Sequence, residues 1–347
     1  MAEAARVPIR TKVAWGIGSA AEKIALAATG AFALFYYNQV LGMDAKIAGL
    51  AMSISLLFDG AIDPVMGSIS DRTRSRLGRR HPYMFAAPIP LAIALLAIFN
   101  PPAGLEPVWL FAWFAVFVSA LRIALSVYDT PHLALGGELS TNYTERSDIM
   151  AYNTFFGFSA GAILTWSAYT FFFHATPEYP RGLKNPGAVG AVAFIALMAS
   201  AWFRRDVIPR LPKPPEDQPK FSVVEFGKDI GKAMSNINYV WLLVAFFFLS
   251  LVLGVREGLL IYVQTFFWGL ASEQIRWFVL GSVAGFLISF FAVARLHARF
   301  DKRRTIIWAG IVMTLAPAVL PLLRVAGRGT SRRARRMDDT RVRLLTR

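Results

Sequence analysis

The sequence contains no cysteine, so disulfide bonds, thiolate metal sites and cysteine nucleophiles are excluded. Histidine is scarce, with four residues and no His-Glu-x-x-His motif, which argues against a zinc site. A P-loop is also lacking, and no nucleophile–base pair is visible. These absences favour a protein that is not an enzyme and that carries no cofactor or metal, apart from a transported ion such as Na⁺.

Charged residues are few, at 17% of the chain, whereas 55% of the residues are hydrophobic. The mean hydropathy of +0.46 is rarely reached by soluble domains. A net charge of +15 could indicate nucleic-acid binding, but the basic residues lie in short runs between apolar stretches. That arrangement is typical of a membrane protein with basic cytoplasmic loops, so no nucleic-acid partner is expected.

Nine apolar stretches are long enough to cross a bilayer, which takes roughly 20 residues per helix. They cover residues 14–41, 46–69, 83–100, 107–133, 149–173, 187–203, 238–268, 273–297 and 304–324. The sequence therefore predicts an all-α integral membrane protein with about nine transmembrane helices.

The basic loops predict the orientation of these helices. Loop 70–81 holds five arginines, and loops 204–220 and 298–304 are also basic, whereas the connections at 100–102 and 269–271 carry no charge. Basic loops stay in the cytoplasm. We therefore expect a multi-pass protein of the plasma (inner) membrane with a cytoplasmic N-terminus.

A polar segment with five prolines follows the sixth predicted helix and is typical of a linker between two bundles. The expected divisions are a six-helix bundle at residues 1–203, a cytoplasmic linker at 204–237, a partial three-helix bundle at 238–325 and a basic, disordered tail at 326–347. A monomer in membrane lipid is expected.

The C-terminal tail conflicts with this topology. Residues 324–347 contain nine arginines and two aspartates, and a ninth helix would place them outside the cell, against the positive-inside rule. One expectation is that the tail is not native, as after a frameshift, so that three helices are missing and the chain is a transport-incompetent fragment. The alternative is a genuine basic tail on a nine-helix protein.

Several ionisable residues lie within the predicted spans, where a charge costs roughly 2.5–3.5 kcal/mol and usually serves function. Asp59 and Asp63 share one face of the second helix because they lie four positions apart. Together they could bind a cation, or one could carry a proton. A salt bridge to Arg122 or Lys23 is the alternative interpretation.

The fourth predicted helix carries a second polar face. Arg122, Ser126 and Asp129 lie on it at intervals of four and three residues. Pro131 follows shortly after and removes a backbone donor, as in the broken helices of transporters. This face is a candidate site for a substrate or a cation.

The most specific motif covers residues 58–82. It reads Phe-Asp-Gly-Ala-Ile-Asp-Pro-Val-Met-Gly at 58–67 and Ser-Asp-Arg-Thr-Arg-Ser-Arg-Leu-Gly-Arg-Arg-His-Pro at 70–82. This stretch closely resembles the second helix and following loop of the glycoside–pentoside–hexuronide:cation symporters, which belong to the major facilitator superfamily. The resemblance implies that superfamily's fold and cation-coupled symport of a sugar, glycoside or uronate by alternating access.

The resemblance also assigns expected roles to individual residues. The residues that match the family's cation site are Asp59, Asp63 and Ser126. The expected substrate-binding residues are Lys23, Asp129, Arg122 and Thr154. The expected cytoplasmic gate consists of Gly67, Asp71, Arg72, Gly78, Arg79 and Arg80.

Departures from the family's pattern bear on the ion and the substrate. Ile62 replaces an asparagine of the cation site, and losing an amide oxygen weakens a Na⁺ shell more than a proton carrier, so H⁺ is favoured over Na⁺. Lys23 replaces a sugar-binding acid, Thr154 an arginine and Leu133 a stacking tryptophan. A cationic Lys23 would suit a uronate or another anionic substrate, and a transporter of a lipid-like or other non-sugar metabolite is the alternative.

Overall fold

The computed structural model describes residues 6–172, 223–300 and a few positions between 304 and 315, and these are helical apart from short connections. The helices long and apolar enough to cross a membrane in this part of the chain are Ala45–Arg72, His81–Phe99, Pro107–Glu138 and Ile237–Phe267. The sixth predicted helix and most of the ninth lie outside the described residues. The predicted four-part division stays a prediction.

The first helix, α1, covers Ile9–Ala27 and continues through π-helical turns at Ala28–Ala33 and Tyr36–Val40. The turn that follows contains Gly42, whose φ of +73° falls in a region that glycine adopts without strain. The stretch predicted as the first span is helical, and its helix begins five residues earlier than predicted.

The next three helices form two spans. The second helix, α2, covers Ala45–Arg72 and begins at Asp44, whose side chain caps the helix by accepting a backbone N–H at 2.8 Å. Two helices, α3 (His81–Ala86) and α4 (Pro88–Phe99), make up one span that returns the chain across the membrane. Both spans were predicted as helices.

The helix α5 covers Pro107–Glu138 and contains Pro131 in its interior. It continues past this proline, so the comparison with a broken transporter helix is wrong here. The helix ends five residues later than predicted. The next helix, α6, covers Tyr143–Ser167 and continues through a π-helical turn at Ala168–Phe172.

Residues 223–300 contain three further helices: α7 at Val223–Met234, α8 at Ile237–Tyr262 with a π-helical turn to Phe267, and α9 at Ser272–Arg299. The α7 helix falls in the segment that the sequence suggests is a linker. The chain divides into a compact unit of residues 1–281 and a second of residues 282–347, and the contacts below belong to the first.

The main packing contacts join α1 to α6 and α2 to α5. Successive spans run in opposite directions, and an odd number of spans separates the two helices of each pair. The helices of each pair therefore run parallel. Glycine brings the helices close: a Cβ at Gly16 would lie 2.7 Å from Phe156, and one at Gly157 would lie 2.9 Å from Cγ of Lys23.

A reciprocal contact joins α1 to α5. The indole N–H of Trp15 donates to the carbonyl oxygen of His132 at 2.9 Å, and Nε2 of His132 lies 2.8 Å from the carbonyl oxygen of Trp15. A carbonyl oxygen can only accept, so this contact requires the proton on Nε2. The two buried rings stack with their centroids 5.0 Å apart, and Gly136 leaves room for the indole.

We predict that Gly136→Ala destabilises the protein and that Gly137→Ala does not. A Cβ at Gly136 would overlap the indole of Trp15, and such overpacking costs about 1–3 kcal/mol. A Cβ at Gly137 meets nothing within 4 Å among the described residues, and alanine favours a helix by roughly 0.5–1 kcal/mol. Thermal unfolding of the purified chain tests this, and equal unfolding temperatures for the two variants would contradict it.

Candidate functional site

Two acids of α2 face two hydroxyl groups of α5. Ser126 donates to Oδ1 of Asp59 at 3.1 Å, and Thr130 donates to Oδ1 of Asp63 at 3.3 Å. In each pair the two residues lie 67 positions apart in the sequence, so one turn along α2 corresponds to one turn along α5. The structure therefore brings together the three residues expected at the cation site, and Thr130 joins them.

Arg122 lies one turn before Ser126 and reaches the same carboxylate. Its Nη1 is 3.2 Å from Oδ2 of Asp59, and the side chains are 13% and 29% exposed. Both oxygens of Asp59 are thus engaged, one by the guanidinium and one by the hydroxyl of Ser126. The salt bridge that was the alternative interpretation is present. Arg122, expected in the substrate site, instead contacts the cation-site acid.

A second cluster lies next to Asp63. Lys23 forms an ion pair of 2.6 Å with Glu22, and both residues are close enough to Asp129 to interact with it electrostatically, as is Asp63. Oδ1 of Asp129 is buried and has no hydrogen-bond donor within the described part of the chain, while the carboxyl of Glu22 lies within hydrogen-bonding reach of the Asp129 carboxyl. Glu22 is therefore a site residue that the assignment from the family missed, although its position beside Lys23 in a membrane span was a signal.

Thr154, also expected at the substrate site, lies on an exposed face of α6. Its hydroxyl donates to the carbonyl oxygen of Met150 at 3.0 Å, within its own helix. Among the described residues it makes no hydrogen bond to the acidic clusters. Leu133, at the expected stacking position, is 40% exposed.

The expected gate residues gather at the other end of the α2–α5 pair. Arg80 forms an ion pair with Asp71 at 2.8 Å and a second with Glu138, while Arg79 contacts the same Glu138 oxygen at 2.5 Å. Asp71 and Glu138 also lie 67 residues apart, so the gate continues the register of the two acids above it. Glu138 was missed from the sequence, because the offset that relates it to Asp71 is known only once α2 and α5 are seen to be neighbours.

The loop between α2 and α3 shapes the gate. Gly78 has a φ of +83°, and the hydroxyl of Ser75 donates to its carbonyl oxygen at 2.6 Å, which closes a turn that delivers the two arginines. Arg72 lies in the last turn of α2. The nearest atom to a Cβ at Gly67 would be Cγ2 of Thr130 at 3.6 Å, an ordinary contact.

A third network at the same end fixes the start of α1. Glu145 accepts the backbone N–H of Val7 at 2.7 Å and the hydroxyl of Ser140 at 2.7 Å, and forms an ion pair with Lys12 at 3.4 Å. Burial alone would raise the pKa of the Glu145 carboxyl, but these donors outweigh it and lower the pKa below its usual value. The α1 start is thereby held to the α5–α6 connection.

We predict that Glu138→Gln lowers the stability of the protein far more than Asp71→Asn. Neutralising Glu138 leaves Arg79 and the nearly buried Arg80 without their shared partner, and breaking a buried ion pair costs about 3–5 kcal/mol. Asp71 is 49% exposed, so its pair with Arg80 is worth about 1 kcal/mol or less. Thermal unfolding of both variants is the measurement, and a larger effect of Asp71→Asn would contradict the prediction.

Comparisons with known proteins agree with this arrangement. A family model described as MFS/sugar transport protein matches residues 14–332. An uncharacterized symporter of Synechocystis is 31% identical over 57% of this chain and 37% of its own length. The inner membrane symporter YicJ of Escherichia coli is 24% identical over 86% of this chain and 63% of its own length. The isoprimeverose transporter of Lactiplantibacillus pentosus is 22% identical over 90% and 64%.

The chain thus spans between 37% and 64% of the length of these relatives. The matches confirm the expectation of an all-α, multi-pass membrane protein, and the family and relatives that they identify are transporters rather than enzymes. The chain therefore belongs to the MFS/sugar transport family, among the glycoside–pentoside–hexuronide:cation symporter-like proteins of the major facilitator superfamily.

Proposed function

We propose that this chain carries the ion- and substrate-binding bundle of a secondary transporter that couples movement of a small, sugar-like molecule to a proton gradient. The observation that carries the proposal is an imbalance of charge between α1, α2 and α5. Among the described residues in the middle of these helices, the carboxylates are Asp59, Asp63, Asp129 and Glu22, and the basic groups are Arg122 and Lys23. Full ionisation leaves two negative charges in excess at membrane depth, which is costly unless a cation or proton offsets them.

Asp63 is the proposed proton carrier. Asp59 pairs with Arg122, and Glu22 pairs with Lys23, whereas Asp63 accepts a hydrogen bond from Thr130 and forms no ion pair within the described residues. A hydroxyl can hydrogen-bond to a carboxyl in either protonation state, whereas a guanidinium favours the charged form, so Asp63 is better suited than Asp59 to bind and release a proton. The family resemblance supports the same position, and Ile62 supports H⁺ over Na⁺.

The proposed substrate site adjoins this acid. Asp129 has one buried oxygen without a partner in the described part of the chain, and such an oxygen can accept a hydrogen bond from a substrate hydroxyl. One relative is named as an isoprimeverose transporter, which supports a glycoside or related sugar. Lys23 beside Glu22 leaves room for a uronate as well.

The remaining parts of the proposal follow from the basic loops and the family. The chain acts as a monomer in the plasma (inner) membrane with its N-terminus in the cytoplasm, binds no nucleic acid and needs no cofactor beyond the coupling ion. Alternating access arises from rocking of two halves around the substrate site. Asp71, Arg79, Arg80 and Glu138 close the cytoplasmic side.

We predict that Asp63→Asn reduces proton-driven uptake to the level seen without a gradient. Proteoliposomes containing the full chain would be assayed with a panel of glycosides, uronates and lysophospholipids under imposed pH and Na⁺ gradients. Asp44→Asn is the matched control, because it makes the same change at the N-cap of the same helix, where asparagine caps equally well. Intact proton-driven uptake by Asp63→Asn would contradict the coupling role, and uptake of lysophospholipid alone would contradict a sugar-like substrate.

A further inference from the structure

The carboxylate of Asp59 is already paired with a cationic side chain. Nη1 of Arg122 lies 3.2 Å from its Oδ2, and the hydroxyl of Ser126 fills the other oxygen at 3.1 Å. Arginine stays charged at every physiological pH and donates hydrogen bonds without accepting any. A Na⁺ ion at Asp59 would therefore have to displace the guanidinium or share the carboxylate with it.

We propose that Arg122 is a built-in cation that occupies the Asp59 end of the cation site expected from the family, so that Na⁺ is excluded there. Asp63 is then the acid of the pair that stays open to a coupling ion. This inference rests on the proposed function only for the role of Asp63, since the occupation of Asp59 is a matter of geometry.

The register of α2 and α5 holds the guanidinium in place. Arg122 and Ser126 lie one turn apart on α5, so both reach the same acid across the helix pair. The side chain of Arg122 is 13% exposed, which suits a fixed ion pair better than a mobile surface contact. Its Nε is buried without a hydrogen-bond partner in the described residues, so Asp59 anchors the guanidinium through Nη1.

Two independent features thus weaken Na⁺ binding. The guanidinium neutralises one of the two carboxylates and would repel a second cation placed beside it. Ile62, between the two acids, offers no side-chain oxygen to a Na⁺ shell. The second basic residue of the region, Lys23, pairs with its neighbour Glu22 and does not compete at Asp59 within the described contacts.

Removal of the guanidinium charge should open the site to Na⁺. In Arg122→Gln, Asp59 and Asp63 would both be free to bind a cation with Ser126 and Thr130 beside them. A neighbouring charge changes the proton affinity of a carboxylate by roughly 10- to 1,000-fold, and we expect at least about a tenfold gain in Na⁺ affinity. Arg122→Lys is the matched control, since it keeps the positive charge and should keep Na⁺ out.

The experiment measures Na⁺ binding to the full chain in lipid nanodiscs, through the unfolding temperature in NaCl against choline chloride at equal ionic strength. The expected result is a saturable Na⁺ effect in Arg122→Gln that is weak or absent in the unaltered chain and in Arg122→Lys. Adding Asp59→Asn to Arg122→Gln should abolish it, because the new site depends on that carboxylate.

Equal Na⁺ affinity in the unaltered chain and Arg122→Gln would overturn the proposal, as would a Na⁺ effect that survives Asp59→Asn. If Arg122→Gln does not fold, direct binding of radioactive Na⁺ to the unaltered chain decides. Saturable Na⁺ binding that Asp59→Asn abolishes would contradict the proposal that Arg122 occupies the site. Absence of saturable Na⁺ binding would support the proposal. These readouts need no transport. Increased Na⁺ affinity in Arg122→Gln without any substrate uptake by the chain would contradict only the proposed function. Proton-driven uptake without increased Na⁺ affinity in Arg122→Gln would contradict only this inference.

Discussion

The parallel packing of α2 against α5 in one register is the constraint on which the candidate site and gate both depend. Asp59 faces Ser126, Asp63 faces Thr130, and Asp71 reaches Glu138 through Arg80, always with the same offset of 67 residues. Because the offset is constant, no single contact can shift by a turn without breaking the others. The pair therefore acts as one element, with the candidate ion site and the candidate gate at fixed distances along it.

Charge compensation explains why the contacts take this form. Acids within a bilayer need partners, and here the partners differ in kind: a guanidinium for Asp59, a hydroxyl for Asp63 and two guanidinium groups for Glu138. Permanent cations fix the first and last of these acids. The hydroxyl at Asp63 is a neutral partner, and this difference from Asp59 and Glu138 underlies the proposed role of Asp63 as the proton carrier.

The helices could be predicted from sequence because hydropathy alone limits where a chain can cross a membrane, and the predicted spans within the described residues all contain helices. The grouping of Asp59, Asp63 and Ser126 also followed from spacing and family resemblance. The pairing of Arg122 with an acid of α2 was only an open alternative, and the partners of Glu138 were not predicted, because such contacts depend on which helices are neighbours and on their register. Helical periodicity places a residue on a face of its own helix but does not say which helix it meets.

The contacts also limit how the bundle can move. The Trp15–His132 hydrogen bonds join α1 to α5, and the aliphatic part of Lys23 on α1 packs against Gly157 of α6. Glu145 binds the start of α1 next to the α5–α6 connection. Sliding of one helix within this set would break buried hydrogen bonds on several neighbours at once. Rocking of the set as a body breaks none of them. The proposed alternating access would therefore move this set of helices as a body, because its contacts oppose sliding of one helix along another.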